Sequence, residues 1–261
     1  MQVAEKTVLI AGAQSRLGLS IALKMADNGA NVALLDKDEK IISRIAEQIR
    51  DQNDVRESHG RAVAIVGDPL NPKSLTEATR KAAETFGSID ILIDNFCYYK
   101  RIPATDEAIV TELDTFLSVN LRASILLTEE ALKFLKTRRH GRIIYMVPDT
   151  ARLGITGDGL FAASRTGLIH YAKTLSKELS GPNHISVNCV ASGLFEEYLI
   201  GRDPKQPSLK EAQQEYTKHI AGARLSDPNE VAEIVLFLAS PKANAITGQV
   251  IPANHGLSLF G

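Results

Sequence analysis

GRIIYMVPDTA, Gly141 to Ala151, leads through RLGITGDGL, Arg152 to Leu160, into FAASRTGLIHYAK, Phe161 to Lys173. In the first piece Ile143, Ile144, Met146 and Val147 make a nearly continuous apolar run that stops at Pro148, the pattern of a strand buried on both faces. In the last piece Leu168, Tyr171, Ala172 and Leu175 recur at helical spacing, with no Gly or Pro between Gly167 and Gly181. A buried strand therefore hands the chain through a loop to a long helix, the unit of a parallel sheet.

The same alternation runs along the whole chain. Strand-like runs are Thr7 to Ala11, Asn31 to Asp36, Arg61 to Gly67, Ile89 to Ile93, Arg142 to Val147, Ile185 to Val190 and Gln249 to Pro252. Helical spacing fills the gaps over Leu17 to Asn28, Glu39 to Arg50, Pro72 to Phe86, Thr111 to Lys136, Phe161 to Leu179 and Asn229 to Leu238. The expected fold is α/β, a Rossmann-type doubly wound parallel sheet of about seven strands with helices on both faces. With no internal repeat or linker in 261 residues, one domain over 1–261 is expected.

Thirty Lys and Arg against 31 Asp and Glu give a net charge of -1, scattered without a basic stripe, which argues against nucleic acid as a partner. No apolar run approaches the roughly 20 residues that span a bilayer and Met1 to Lys6 has no signal pattern, so a cytoplasmic location away from membranes is expected. Cys97 and Cys189 are too few for a disulfide scaffold and are expected as buried thiols. No cluster of residues points to a metal.

The segment Pro148 to Leu168 resembles the active-site segment of the short-chain dehydrogenase/reductase family, in which a strand ends in a catalytic Ser and the next helix carries Tyr-x-x-x-Lys. Matched without a gap, the family's Tyr falls on Phe161, its Lys on Arg165 and its Ser, thirteen residues before the Tyr, on Pro148. A Phe has no ionisable proton, a Pro has no hydroxyl, and Arg keeps the charge of Lys in a different shape. Asn120, in FLSVNL, matches the family's helix asparagine of the proton relay and is retained; an Asn in mid-helix could equally hold a backbone carbonyl or a buried water.

The first strand runs into AGAQSRLGLS, where the family has Gly-x-x-x-Gly-x-Gly at the cofactor pyrophosphate. Gly12 and Gly18 are kept and Arg16 stands at the middle glycine, where a side chain either blocks close approach or turns its guanidinium onto phosphate. Asp36, at the end of the second strand, suits ribose hydroxyls and repels a 2′-phosphate, so NAD is favoured over NADP if a dinucleotide binds, with the adjacent Lys37 pulling the other way. Asp68 matches the family residue at the adenine amino group, or caps a turn. Asn95 and Arg165 complete the expected cofactor contacts. The family's Asn-Asn-Ala-Gly reads Asp94-Asn95-Phe96-Cys97 here, and Phe96, Tyr98 and Tyr99 could fill the site, stack on a flat ligand or cover a subunit contact.

Near the end of the sixth strand Asn188 is kept and Ser192 replaces a family proline. Glu196 and Glu197 follow near the expected pyrophosphate, with Arg16 as a possible counter-charge. Tyr198 to Ala223 matches the family's substrate loop, and from Arg224 the tail resembles the family closely, implying a homo-oligomer, dimer or tetramer; His255 replaces a glycine there and is expected to be packed or interfacial. The resulting first expectation is a catalytically degenerate member, a nucleotide-binding sensor, scaffold or partner subunit without conventional carbonyl reductase activity. The alternative is an NAD(P)-dependent oxidoreductase on a carbonyl or alcohol whose proton donor is non-standard: Tyr98, Tyr99 or Asp149.

Overall fold

The computed structural model describes residues 2–56, 60–138, 140–181, 184–196, 199, 213–214, 216–218 and 220–259. Seven strands, β1 (Thr7–Ala11), β2 (Asn31–Asp36), β3 (Ala62–Val66), β4 (Ile91–Asp94), β5 (Arg142–Pro148), β6 (Ser186–Ser192) and β7 (Val250–Ala253), form one sheet in the order β3-β2-β1-β4-β5-β6-β7. Every pairing is parallel. Strand order reverses between β1 and β4, whose last residues, Ala11 and Asp94, are paired. Such a reversal splays the loops that follow the two strands and opens a crevice at their carboxyl ends.

The helices are α1 (Arg16–Asp27), α2 (Glu39–Arg56), α3 (Pro72–Phe86), α4 (Ala108–Leu117), α5 (Ala123–Leu135), α6 (Gly159–Glu178) and α7 (Pro228–Ala239). One apolar core joins Ile21 and Met25 of α1, Ile42 and Ile49 of α2, and Val231 and Val235 of α7 to one face of the sheet. A second joins Leu75 of α3, Leu127 of α5, and Leu168 and Leu175 of α6 to the other. Burial on both faces is why β1, β2, β4 and β5 read as unbroken apolar runs.

Helix ends follow local chemistry. The Ser15 hydroxyl accepts from the Gly18 N–H at the start of α1, the Asn71 side chain accepts from Lys73 and Ser74 before Pro72 of α3, and α3 ends on Gly87 in the left-handed region. The continuous helix expected over Thr111 to Lys136 is interrupted: a π turn over Ser118–Arg122 separates α4 from α5 and carries Asn120. A π turn closes its hydrogen bonds one residue further along than the α-helix and so inserts a single residue, which leaves the apolar spacing on either side nearly unchanged, and the sequence pattern ran through the break. Among the described residues no helix is long and apolar enough to cross a membrane.

Candidate active site

The turn from β1 to α1 is locked against β4. Gly12 has φ 71°, and a Cβ there would fall on the Asn95 carbonyl. The Asn95 side chain donates from Nδ2 to the Gly12 carbonyl at 2.9 Å and to Ser15 Oγ at 2.9 Å. A Cβ on Gly18 would lie 2.5 Å from the Gly12 carbonyl oxygen. Gly12, Gly18 and Asn95 thus shape the turn by close backbone approach. Asn95, an expected cofactor contact, holds the turn and also lines the cleft beside it.

Next to this turn lies a cleft of about 240 Å³, lined by Gly12, Gln14, Asp36, Asp68, Asn95 and Cys97 among others. Asp36 is 4% exposed; its carboxylate accepts from the backbone N–H groups of Gln14 and Lys37, and burial pushes its pKa above the ordinary value. Asp68 lies at the cleft edge and accepts from Leu70 N at 2.9 Å, so it makes the Asx turn and borders the cleft at once. The Arg16 guanidinium is exposed, does not line the cleft, and stands 3.9 Å from Glu196. The counter-charge expected of Arg16 is therefore directed at that acid. Glu197 and most of the Tyr198 to Ala223 segment lie outside the described residues. Cys97, expected buried, is exposed at the cleft; Cys189 is buried, and burial pushes its thiol up to about 12.

At the chemical end, Pro148 closes β5, and Phe161 and Arg165 sit in the first two turns of α6. Phe161 is 2% exposed and packs edge to face with Tyr99 (ring centroids 4.9 Å apart) and with Phe116 (6.5 Å), while Tyr98 packs on Phe116 at 5.1 Å. The aromatic cluster therefore fills the space beside the Phe161 position. Phe96 belongs instead to the core under α3 and α5 and borders the cleft.

The two tyrosines differ in where their hydroxyls go. Tyr98 donates to Glu112 at 2.7 Å, a bond that raises the phenol's pKa, and Glu112 is paired in turn with the exposed Lys100; Tyr98 borders the cleft but not the slot. Tyr99 donates to Asp158 Oδ1 at 3.0 Å, and both border a slot of about 10 Å³ with Pro148, Thr150, Phe161 and Gly193. A volume of that order holds about one water. Asp149, the third candidate acid, is fully buried between Arg152 (3.2 Å) and the Asn254 amide (2.7 Å) and borders neither cavity. Thr150 and Asp158 were missed from sequence. A hydroxyl two residues past Pro148 was the available signal for Thr150; nothing local marked Asp158.

Asn120 and Arg165 lie together behind the slot. Asn120 spends its amide on the backbone of Tyr98, accepting from its N–H and donating to its carbonyl, both at 2.8 Å, so it clamps the loop after β4. Arg165 is 1% exposed, borders neither the cleft nor the slot, and reaches the Asn120 carbonyl at 3.5 Å. Its charge faces buried Asp94, whose carboxyl burial pushes up and the guanidinium opposes. Arg165 thus supplies a positive charge to the buried Asp94 inside the fold. Elsewhere, Asn188 joins β6 to β7 through Ile246 and Gln249, and His255 is packed against Glu230 at 3.0 Å.

A parallel sheet with its crevice at the strand reversal and an acid at the end of β2 defines a doubly wound protein of the dinucleotide-binding type. The chain matches a family model described as Enoyl-(Acyl carrier protein) reductase over residues 11–258. It is 30% identical to a 3-oxoacyl-acyl-carrier-protein reductase of Aquifex aeolicus over 252 residues, covering 97% of each chain. It is 28% identical to the Vibrio cholerae protein of the same name, covering 100% of both. Among solved structures, a short-chain dehydrogenase/reductase from Serratia marcescens superimposes with a TM-score of 0.87 at 26% identity, covering 99% of this chain and 100% of that one. A variant actinorhodin polyketide ketoreductase with NADPH gives 0.88 at 25% identity, covering 98% of both. The chain belongs to the short-chain dehydrogenase/reductase family.

These relatives overturn the expectation of a degenerate sensor, scaffold or partner subunit: proteins that match from end to end are named as reductases. That expectation rested on three substituted positions. It overlooked that a phenol, a hydroxyl and a carboxylate, from Tyr99, Thr150 and Asp158, surround the same slot.

Proposed function

We propose that the protein is an NAD(P)-dependent oxidoreductase that interconverts a carbonyl and an alcohol, with the Tyr99 phenol exchanging the substrate proton. The observation that carries this reading is the placement of Tyr99: its ring lies on Phe161 and its hydroxyl bonds to Asp158 at 3.0 Å, beside Pro148 at the end of β5. A bound nicotinamide would supply or accept the hydride at the substrate carbon. In the oxidative direction the alcohol proton passes to the Tyr99 oxygen as the phenol proton passes to Asp158 Oδ1; in reduction both transfers reverse. Thr150 would orient the substrate oxygen from the same slot. At about 10 Å³ the slot is smaller than any carbonyl substrate, so binding one requires it to widen.

The cleft fits the adenosine half of a dinucleotide. Asp36 faces it with a carboxylate able to accept from ribose hydroxyls, and a 2′-phosphate would meet that charge, which favours NAD over NADP. On this reading Asp36→Ala weakens NADH binding by about 10-fold or more, the size expected for losing hydrogen bonds to a charged group, and leaves NADPH binding equal or tighter. Fluorescence titration of both reduced cofactors measures it. Unchanged NADH affinity would remove Asp36 from the site.

The protein is further proposed to be cytoplasmic, a single domain and a homo-oligomer, the last supported by Val110, Leu113 and Leu117 exposed along α4. The names of the relatives make 3-oxoacyl thioesters the first substrates to screen. Consumption of NADH or NADPH is followed in their presence; turnover with one of them supports the reading, and a cofactor that binds without turnover on any 3-oxoacyl thioester, ketone or alcohol of a broad panel contradicts it.

A further inference from the structure

The opposite end of the sheet holds a second cavity of about 390 Å³, larger than the cleft at the strand reversal. It lies at the starts of β4 and β5, bordered by Gln2, Lys6, Asp90, His140, Arg142 and Asn244, with Val3, Ile91 and Pro241 as its apolar wall. Volumes of this size are those of small-molecule sites.

The charges here do not balance. Asp90 is 3% exposed and saturated: it accepts from the Thr7 N–H at 3.0 Å, from the Ser88 hydroxyl at 3.2 Å, from Arg138 Nε at 3.0 Å and from Lys6 Nζ at 3.4 Å, and against the effect of burial its carboxyl is held below the ordinary range by the Thr7, Arg138 and Lys6 partners. Two cations already answer that one carboxylate. Arg142 is 3% exposed and pairs with no carboxylate among the described residues. Its guanidinium donates only to neutral oxygens: the carbonyls of His140 (3.0 Å) and Gly141 (3.1 Å), and the Asn244 side chain. Its Nε has no partner, and neither has the buried Oε1 of Gln2 on the same cavity. A buried guanidinium without an anion is costly, and so is each orphaned polar atom.

We propose that this cavity binds a small organic oxyanion carrying a hydroxyl, its carboxylate or phosphate held by Arg142 and Lys6 and its hydroxyl donated to Gln2 Oε1. The anion compensates Arg142, the hydroxyl satisfies the glutamine, and the carbon skeleton lies on Val3, Ile91 and Pro241. The site is a strand's length from the dinucleotide cleft and shares no residue with it.

Isothermal titration calorimetry on the full chain uses three probes: lactate, glycerol phosphate and propionate. Lactate or glycerol phosphate binds the unaltered protein, the tighter of the two distinguishing a carboxylate from a phosphate ligand, and propionate binds about 10-fold or more weaker than lactate because Gln2 is left unpaired. Lys6→Gln, at a half-exposed position that leaves Arg138 on Asp90, weakens both anions at least several-fold. Gln2→Ala brings lactate and propionate to the same affinity. Saturating NADH leaves all of these values unchanged. The proposal is overturned if neither lactate nor glycerol phosphate binds, if Lys6→Gln and Gln2→Ala leave the affinities as they were, or if NADH competes.

Discussion

Replacing Tyr99 by Phe lowers kcat on a carbonyl substrate by about 10²- to 10⁴-fold, the usual worth of a positioned proton donor, and leaves KM within a few-fold. The substitution removes one oxygen and keeps the ring on Phe161, so the packing of the aromatic cluster is preserved. Tyr98→Phe is the matched control. It deletes a hydroxyl of the same kind that bonds to Glu112 at 2.7 Å, away from the slot, and it leaves kcat within about twofold. Asp158→Asn tests the second member: an amide still accepts from the phenol but cannot take its proton, so the oxidative rate falls more than the affinity. Steady-state kinetics of the three variants in both directions decide the matter. Full activity in Tyr99→Phe would remove this residue from the chemistry.

Gly12→Ala is expected to abolish dinucleotide binding and to destabilise the fold. The left-handed backbone at φ 71° alone costs about 1–2 kcal/mol for a residue with a Cβ. The new methyl also strikes the Asn95 carbonyl, so the turn must leave β4 and give up the bonds from Asn95 to Gly12 and Ser15. Gly87→Ala separates the two effects, because Gly87 has φ 80° and nothing within 4 Å of an added Cβ. The control should lose the strain energy only. For a chain of this size that is roughly 2–4 °C of Tm per kcal/mol, with cofactor binding intact. Thermal unfolding with and without NADH reads both. Equal losses in the two variants would show that the approach of Gly12 to Asn95 contributes nothing.

Architecture was legible because burial on both faces writes itself into composition. Runs such as Thr7 to Ala11, Asn31 to Asp36 and Pro72 to Phe86 coincide with the observed elements, since each is bounded by residues that end the periodic pattern, among them Asn71 and Gly87. The π turn at Asn120 was not legible, because inserting one residue leaves the apolar spacing nearly intact on either side. In the site, matching by sequence located Pro148, Phe161 and Arg165 on the correct elements. It could not say where their side chains point. Arg165 is buried and reaches the Asn120 carbonyl, its charge lowering the pKa of the buried Asp94, and Asn120 holds the backbone of Tyr98. Tyr99 and Asp158 lie 59 positions apart, and only the folded loops bring their oxygens to 3.0 Å. A function read from the absence of three side chains therefore missed the long-range contact that joins Tyr99 to Asp158.

The most direct test of this account follows the hydride. Reduced cofactor deuterated at the transferable position is incubated with the protein and a 3-oxoacyl thioester, and the product is examined by mass spectrometry. One deuterium on the carbinol carbon, formed over many turnovers and lost together with activity in Tyr99→Phe, is the expected result. A product that forms without the label, or label transfer at an undiminished rate in Tyr99→Phe, would contradict it.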